Sequence, residues 1–411
     1  MSKTIKIDPE LVEHYIHEFA QFGAFGETGV WRTVYTPEWS AAANQYATWC
    51  EEAGLVVHRD AVGNVWGRLQ GQKDGKTIAT GSHIDSVTPG GRYDGVLGAL
   101  GGLIALRALS EQYGPPVRTL ETLALCEEES SRFAANFWGS RAIVGDAYPE
   151  VTEKISDADS ITLAQAMRDC GLDPSRCHEA RRSDLDTFIE LHIEQGPVLE
   201  QAGLPVAVVT GISGIRGVRV ELAGDQNHAG AFPMDLRRDP MAGFAEIASG
   251  VIDIAQRWGR PAVTTIGRVD VEPNMQTVIP GRVSFSIDAR HPDPLVCQKL
   301  LASQDELIRE VAERRGLEVN WETYSEHAPC LSDPGLVEDL SEAARSQGIP
   351  FMEMASGAAH DTQQIAGIAK VAMLFIRSRD GRSHTPEEFS STEDMVAGIR
   401  VLAAGLHRLA Y

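Results

Sequence analysis

Residues 77–101, TIATGSHIDSVTPGGRYDGVLGALG, hold the decisive stretch of this chain. A short apolar run, Ile78 and Ala79, hands over to His83 and Asp85, and a Pro-Gly-Gly turn then leads to Asp94 and a small-residue helix opening at Gly95. The layout predicts an imidazole and carboxylates at the carboxyl edge of a strand, where open α/β sheets keep their chemistry. Alone, such a stretch reads equally well as a polar surface loop.

The same event recurs. Residues 119–126, TLETLALC, read as a strand that ends in Glu127, Glu128 and Glu129; residues 187–194, TFIELHIE, carry His192 and Glu194 into Gln195-Gly196. Residues 371–377, VAMLFIR, read as a fourth strand, followed by SRDGRSH and His384. If these ends converge, His83, Asp94, Glu129, His192 and His384 form two nitrogen-and-oxygen sites suited to divalent cations such as zinc, manganese, nickel or cobalt. Water held by two such cations becomes a nucleophile near neutral pH, and the same cations polarise a carbonyl, so the centre would hydrolyse amides or esters. Glu128, beside a ligand but free of the metals, is placed to act as general base. An acidic triplet is more often a solvated patch, and a lone histidine is often a surface residue. Recurrence after four strands favours the metal centre.

The rest of the chain frames these strands. Residues 8–54 read as helices, with Leu11, Tyr15, Ile16 and Phe19 at helical spacing, a break over residues 22–28, and Thr36 as a cap before Pro37. Strands are predicted at residues 56–59 and 64–69, and the run LGALGGLIALRAL after Gly95 is a buried type of helix. Between residues 211 and 327 the order changes to a strand at 215–222, a helix at 241–258, strands at 263–271 and 278–288, and a helix at 294–315. The fold predicted is α/β: a doubly wound domain with a mixed sheet, residues 1–210 and 330–411, interrupted by an inserted α+β domain, residues 211–329.

Composition narrows the partners. With 58 acidic against 37 basic residues the formal charge is −21, which excludes nucleic acid and anionic membrane surfaces as ready partners. No apolar run reaches the length of a membrane span and the N-terminus lacks a signal peptide's apolar centre, so a cytoplasmic location is expected. The six cysteines show no CxxC spacing and read as reduced thiols.

Seven segments, GSHIDSVTPGGRYDG (81–95), EEESSRF (127–133), ELHIEQGPVLE (190–200), NHAGAFPMDLRRDP (227–240), DARH (288–291), SGAAHD (356–361) and RSRDGRSHTPEE (377–388), together resemble the amidase, hydantoinase and carbamoylase family. That family lies within the superfamily of two-metal aminoacylases and carboxypeptidases, and the similarity runs from residue 33 to the last helix. The resemblance implies that His83 and His192 hold one metal, Glu129 and His384 the other, and that Asp94 bridges them. It implies Glu128 as the base, Asp85 as the support of His83, and His360 and Asp361 as residues that order the site. Glu127 is the weaker candidate for either glutamate role. For substrate it implies Gln195, His228, Thr277 and Arg290: Arg290 as a clamp for a substrate carboxylate, His228 as an oxyanion stabiliser supplied by a partner subunit. The inserted domain would then be a ferredoxin-like dimerisation and lid domain in a homodimer, with hinges near Gly211 and Gly214.

Two departures from the family pattern bear on substrate. Thr277 stands in QTVIPG where the family usually has asparagine, and it lacks the amide's paired donor and acceptor. Ser130 replaces a glycine after the glutamates, which matters if that position has positive φ. The activity implied is hydrolysis of the carbamoyl (ureido) C–N bond of an N-carbamoyl-L-amino acid or related ureido acid. Allantoate hydrolysis, N-acyl-amino acid deacylation or dipeptide cleavage, and a non-catalytic metal- or ligand-binding scaffold are the alternatives.

Overall fold

In the computed structural model, which describes residues 4–411, the chain divides into two compact units. The first comprises residues 4–210, Ser332–Met354 and Ala359–Tyr411; the second comprises Gly211–Leu331 with Ala355–Ala358.

In the first unit, four parallel strands occupy the middle of a mixed sheet in the order Lys370–Ile376, Leu185–Ile193, Thr77–His83, Leu120–Leu125. Antiparallel strands flank them: Val206–Ile212 beside Lys370–Ile376, and Val65–Leu69 followed by Val56–Arg59 beside Leu120–Leu125. Every residue of Thr77–His83 and of Leu120–Leu125 is buried, as expected of strands covered on both faces. The helix Val96–Tyr113 packs on these strands, and its glycines are the reason it can. A Cβ on Gly98 would collide with the carbonyl oxygen of Leu191, and one on Gly102 would come within 2.6 Å of Thr122 Oγ1. The small-residue run is therefore a close helix–sheet contact. Thr36 accepts a hydrogen bond from Trp39 N at 3.2 Å at the start of the helix Pro37–Glu52, with Pro37 in its first turn.

The second unit is a β-α-β-β-α-β sequence. Its antiparallel sheet runs Val263–Thr265, Arg282–His291, Gly214–Ala223, Glu318–His327, with Val269–Glu272 also paired to Arg282–His291. That order places Gly214–Ala223 and Arg282–His291 side by side in the centre, a split β-α-β arrangement. Alternate residues of Arg282–His291 are buried, and Val283, Phe285 and Ile287 meet Ile247, Val251 and Ile308 of the helices Pro240–Trp258 and Pro294–Arg314 in one core.

Several details differ from the sequence reading: residues 263–271 form two strands, Val263–Thr265 and Val269–Glu272, and the strands Val206–Ile212 and Phe351–Ser356 were not read at all. The strand read at residues 278–288 lies at Arg282–His291, preceded by a two-residue strand, Val278–Ile279, because Pro280-Gly281 breaks the run. The ten-residue strand Glu318–His327 closes one side of the sheet and was not anticipated. It is exposed or half-exposed along its length, and its apolar alternation is short: only Val319 and Trp321 pack half-buried on the core before Thr323 and Tyr324 break the pattern at a register shift. Among the described residues no helix is long and apolar enough to cross a membrane.

Candidate metal centre

The four parallel strands end on one edge of the sheet, and their carboxyl ends deliver the cluster. His83 is the last residue of Thr77–His83, and His192 lies one residue before the end of Leu185–Ile193. Glu127, Glu128 and Glu129 follow Leu120–Leu125, and His384 follows Lys370–Ile376 after a seven-residue loop.

Asp94 sits at the centre. His83 Nε2 lies 3.4 Å and His192 Nε2 3.1 Å from Asp94 Oδ1; His384 Nε2 lies 3.4 Å from Asp94 Oδ2 and 3.6 Å from Glu129 Oε1. Each oxygen of one carboxylate thus faces a separate set of side chains. Those sets, His83 with His192 and Asp94, and Glu129 with His384 and Asp94, are both compact enough to hold a cation. The ring orientations are set from behind. His83 Nδ1 lies 3.1 Å from the carbonyl of Asp85 and His192 Nδ1 2.9 Å from the carbonyl of Ile193. A carbonyl only accepts, so each Nδ1 carries a proton and Nε2 is the ring atom turned towards Asp94, the one a cation would take. Gly95, at φ 66°, is required here, because a Cβ would overlap the His83 ring.

Electrostatics match that donor set. Burial works against the charge on Asp94, yet the imidazoles of His192, His384 and His83 hold its carboxyl well below the usual range. Burial raises Glu128 well above its ordinary value, with Glu129 and Asp361 adding to the rise. Glu129 is pushed up to about 7 by burial and by Asp94, and its Oε1 is buried with no hydrogen-bond partner. His384 is lifted to about 9, chiefly by its hydrogen bond to Asp94. A nest of buried carboxylates and imidazole Nε2 atoms fits divalent cations better than any arrangement of protons. Glu128 also falls within reach of a grouping with His83 and Glu129, so its freedom as a base depends on the other ligands outcompeting it.

Asp85 does more than support His83. Its Oδ1 accepts from Glu128 N and its Oδ2 from Glu129 N, each at 3.1 Å, so one carboxylate fixes the backbone of both glutamates. Glu127, by contrast, turns away to accept from Phe133 N at 3.0 Å and holds the loop. Ser130 has φ 54°, the left-handed conformation in which glycine would be unstrained. The ring of His360 stands edge-on to His192 at 4.6 Å between centroids, and Asp361 accepts from Ser140 Oγ at 2.5 Å. Burial and then Glu190 push Asp361 up to about 8. Gln195 donates from Nε2 to Asp94 Oδ2 at 2.8 Å. Glu194 caps the helix Val198–Ala202 by accepting from Val198 N and Leu199 N.

Three polar residues in the cluster, Glu190 and Glu388 buried and Ser383 half-buried, were not singled out from the sequence. Glu190 accepts from Ser82 Oγ and Thr362 Oγ1, both at 2.6 Å, and Ser383 and Glu388 bracket Asp94. For Glu190 the alternation of its strand was the available signal, since a carboxylate inside TFIEL has to be buried. For Ser383 and Glu388 no local signal exists.

His228, Thr277 and Arg290 belong to the second unit. His228 and Thr277 are neighbours on the ribbon Asn227–His228 with Val278–Ile279, where Ala229 N donates to Thr277 O at 3.0 Å. Gly230 N and Ala231 N both donate to His228 Nδ1, leaving Nε2 of that ring as a donor. Arg290 is held by Asp288 through Nε at 2.8 Å and Nη2 at 3.1 Å, and donates from Nη1 to Gly357 O. The ion pair with Asp288 orients the guanidinium and occupies its Nε–Nη2 edge.

Residues 58–408 match the peptidase family M20/M25/M40. The chain is 39% identical over 401 residues to an allantoate amidohydrolase of Bacillus subtilis (strain 168), covering 97% of each. It is 39% identical over 407 residues to an N-carbamoyl-L-amino acid amidohydrolase of Geobacillus stearothermophilus, covering 98% of this chain and 99% of that one. Among solved structures it resembles an amidase of the hydantoinase/carbamoylase family from Burkholderia multivorans, with a TM-score of 0.90 and 34% identity over 99% of this chain and 98% of that one.

Proposed function

Since the chain belongs to the peptidase family M20/M25/M40 and, within it, to the hydantoinase/carbamoylase amidases, we propose that it hydrolyses the carbamoyl (ureido) C–N bond of an N-carbamoyl-L-amino acid or a related ureido acid. One observation carries the proposal: Asp94 offers one oxygen to His83 and His192 and the other to His384, with the carboxyl of Glu128 close by.

His83, His192 and Asp94 would hold one divalent cation, and Glu129, His384 and Asp94 a second, with zinc, manganese, nickel and cobalt all compatible with the donors. When bound, such ions polarise a carbonyl and acidify water. The remaining work falls to the chain. Glu128, whose burial raises its affinity for a proton, takes the proton from the attacking water and returns it to the leaving nitrogen. Ammonia departs, and the carbamate left behind loses carbon dioxide to free the amine. Asp85 keeps Glu128 and Glu129 in register through their backbone amides, and His360 and Asp361 order the wall behind His192.

His228 is assigned to the oxyanion, because its protonated Nε2 is a donor, and Arg290 to the substrate carboxylate. Gln195 and Thr277 complete the substrate-binding set. A homodimer formed through residues 211–329 and a cytoplasmic location are part of the same reading. Allantoate is a second substrate candidate, favoured by the similarity to the allantoate amidohydrolase of Bacillus subtilis.

The test is ammonia release from a panel of N-carbamoyl-L-amino acids, β-ureido acids and allantoate, with each metal added in turn. Ammonia from at least one ureido acid is the expected result. Release of an amine and a carboxylate from N-acyl-amino acids or dipeptides, without ammonia from any ureido acid, would replace the reading with an acyl-amide hydrolase. No turnover by a metal-loaded protein would leave a binding scaffold.

A further inference from the structure

Glu388 lies near the end of the loop after Lys370–Ile376, four residues past His384, and its side chain is buried. Its Oε1 accepts from the backbone N–H of Tyr93 at 2.9 Å and of Asp94 at 3.0 Å. Its Oε2 lies 2.9 Å from Ser383 Oγ, and the same hydroxyl stands 2.6 Å from Asp94 Oδ2. The seat is shaped for this side chain. A Cβ on Gly91 would overlap the Glu388 carboxylate, so the turn before Asp94 is glycine where the glutamate lies across it.

We propose that Glu388 is a positioning residue that joins the segment carrying Asp94 to the segment carrying His384 and fixes how the two oxygens of Asp94 are shared between the two cations. The inference rests on the two-metal reading above. A bridging carboxylate works only if its plane is held so that one oxygen faces each ion. The backbone bonds from Glu388 set the position of the Asp94 peptide, and Ser383, placed by Glu388, sets the rotation of its carboxylate through Oδ2. Ser383 immediately precedes His384 in the chain, so the same contact places the exposed imidazole of the second site. His83 and His192 need no such help, being buried and fixed through their own Nδ1 bonds. Loss of Glu388 should therefore weaken the ion held by Glu129 and His384 and spare the one held by His83 and His192. Groups that orient metal ligands are commonly worth about 10–100-fold in affinity.

The experiment is a chelator-competition titration of the full-length metal-free protein with zinc, resolving the two binding steps, for the wild type, Glu388→Ala, Glu388→Gln, Ser383→Ala and Gly91→Ala. Glu388→Ala and Gly91→Ala are expected to keep the tighter step and weaken the other by about 10–100-fold. Ser383→Ala should weaken the same step by less. Glu388→Gln retains an oxygen for the two amides and a group to meet Ser383, and should restore most of the loss. Thermal melting of the metal-free proteins separates this from misfolding: a variant that melts like the wild type yet loses one step supports the proposal. Equal weakening of both steps, or two unchanged steps in Glu388→Ala and Gly91→Ala, overturns it. A wild type that binds a single ion overturns the two-metal reading and this proposal with it.

Discussion

His83, Asp94 and His192 in the first unit are nearly closed to solvent and have their orientations fixed by backbone carbonyls or neighbouring side chains, whereas His228 and Thr277 in the second unit stand exposed on a two-stranded ribbon. The contrast is one of cost. Burying imidazoles and carboxylates is expensive unless each is paired, and the first unit meets that cost with carbonyls, hydroxyls and peptide N–H groups that leave little freedom. The ribbon carries no such burden, so a residue there can change without unfolding anything. Chemistry should therefore be intolerant of substitution in the first unit, and choice of substrate should be adjustable in the second.

The largest effect expected is at Glu128. Glu128→Gln should lower kcat by on the order of 10²–10⁴-fold, the usual worth of a positioned proton carrier, while metal content by elemental analysis stays at the wild-type level. Retained turnover in a fully loaded variant would remove Glu128 from the base role. His83→Ala gives the complementary result, loss of one ion with activity falling alongside, since a ring held by Asp85 O and facing Asp94 has no substitute nearby.

Metal uptake should depend on pH in a definite direction. His384, held at about 9 by its hydrogen bond to Asp94, carries a proton in the metal-free protein near neutrality. A cation has to displace it. Affinity for the ion at that site should therefore climb as pH rises towards the folded pKa and flatten above it, by up to about tenfold per pH unit for each proton displaced. Calorimetry in two buffers of different ionisation heat should count at least one proton released per protein. Binding without proton release would show that His384 is not a ligand.

At the ribbon the effects should shrink and change kind. Thr277→Asn introduces an amide's paired donor and acceptor, and is expected to alter the ratio of kcat/KM between two ureido acids by about tenfold with no change in melting temperature. A fall in stability there would contradict the separation of roles. Smallest of all is Ser130→Gly: the left-handed backbone at φ 54° costs serine about 1–2 kcal/mol, the glycine's freedom in the unfolded chain gives back about 0.4–1 kcal/mol, and stability should rise by about 1 kcal/mol or less. A loss of stability would mean that the serine side chain contributes more than the strain removes.

The four parallel strands of the first unit were legible because they are buried and read as short apolar runs, three of them leading straight into a histidine or carboxylate and the fourth into the loop that ends at His384. Val96–Tyr113 was legible for a similar reason, its glycines marking a close approach to the sheet. Glu318–His327 was not, because only Val319 and Trp321 alternate before the exposed pair Thr323 and Tyr324 interrupts the pattern. Glu388 and Ser383 were hidden for another reason: their partner, Asp94, lies almost three hundred residues away, and a contact at that separation leaves no trace in local spacing. Asp85 was seen as a support for His83, yet its bonds to the amides of Glu128 and Glu129 follow from the loop's path, which spacing does not encode.

The central claim is that Asp94 divides its two oxygens between two cations. Anomalous diffraction from crystals of the zinc-loaded protein tests it most directly. Two peaks are expected, one against His83, His192 and Asp94 Oδ1 and the other against Glu129, His384 and Asp94 Oδ2. A single peak, or two peaks with Asp94 touching only one of them, would contradict the account.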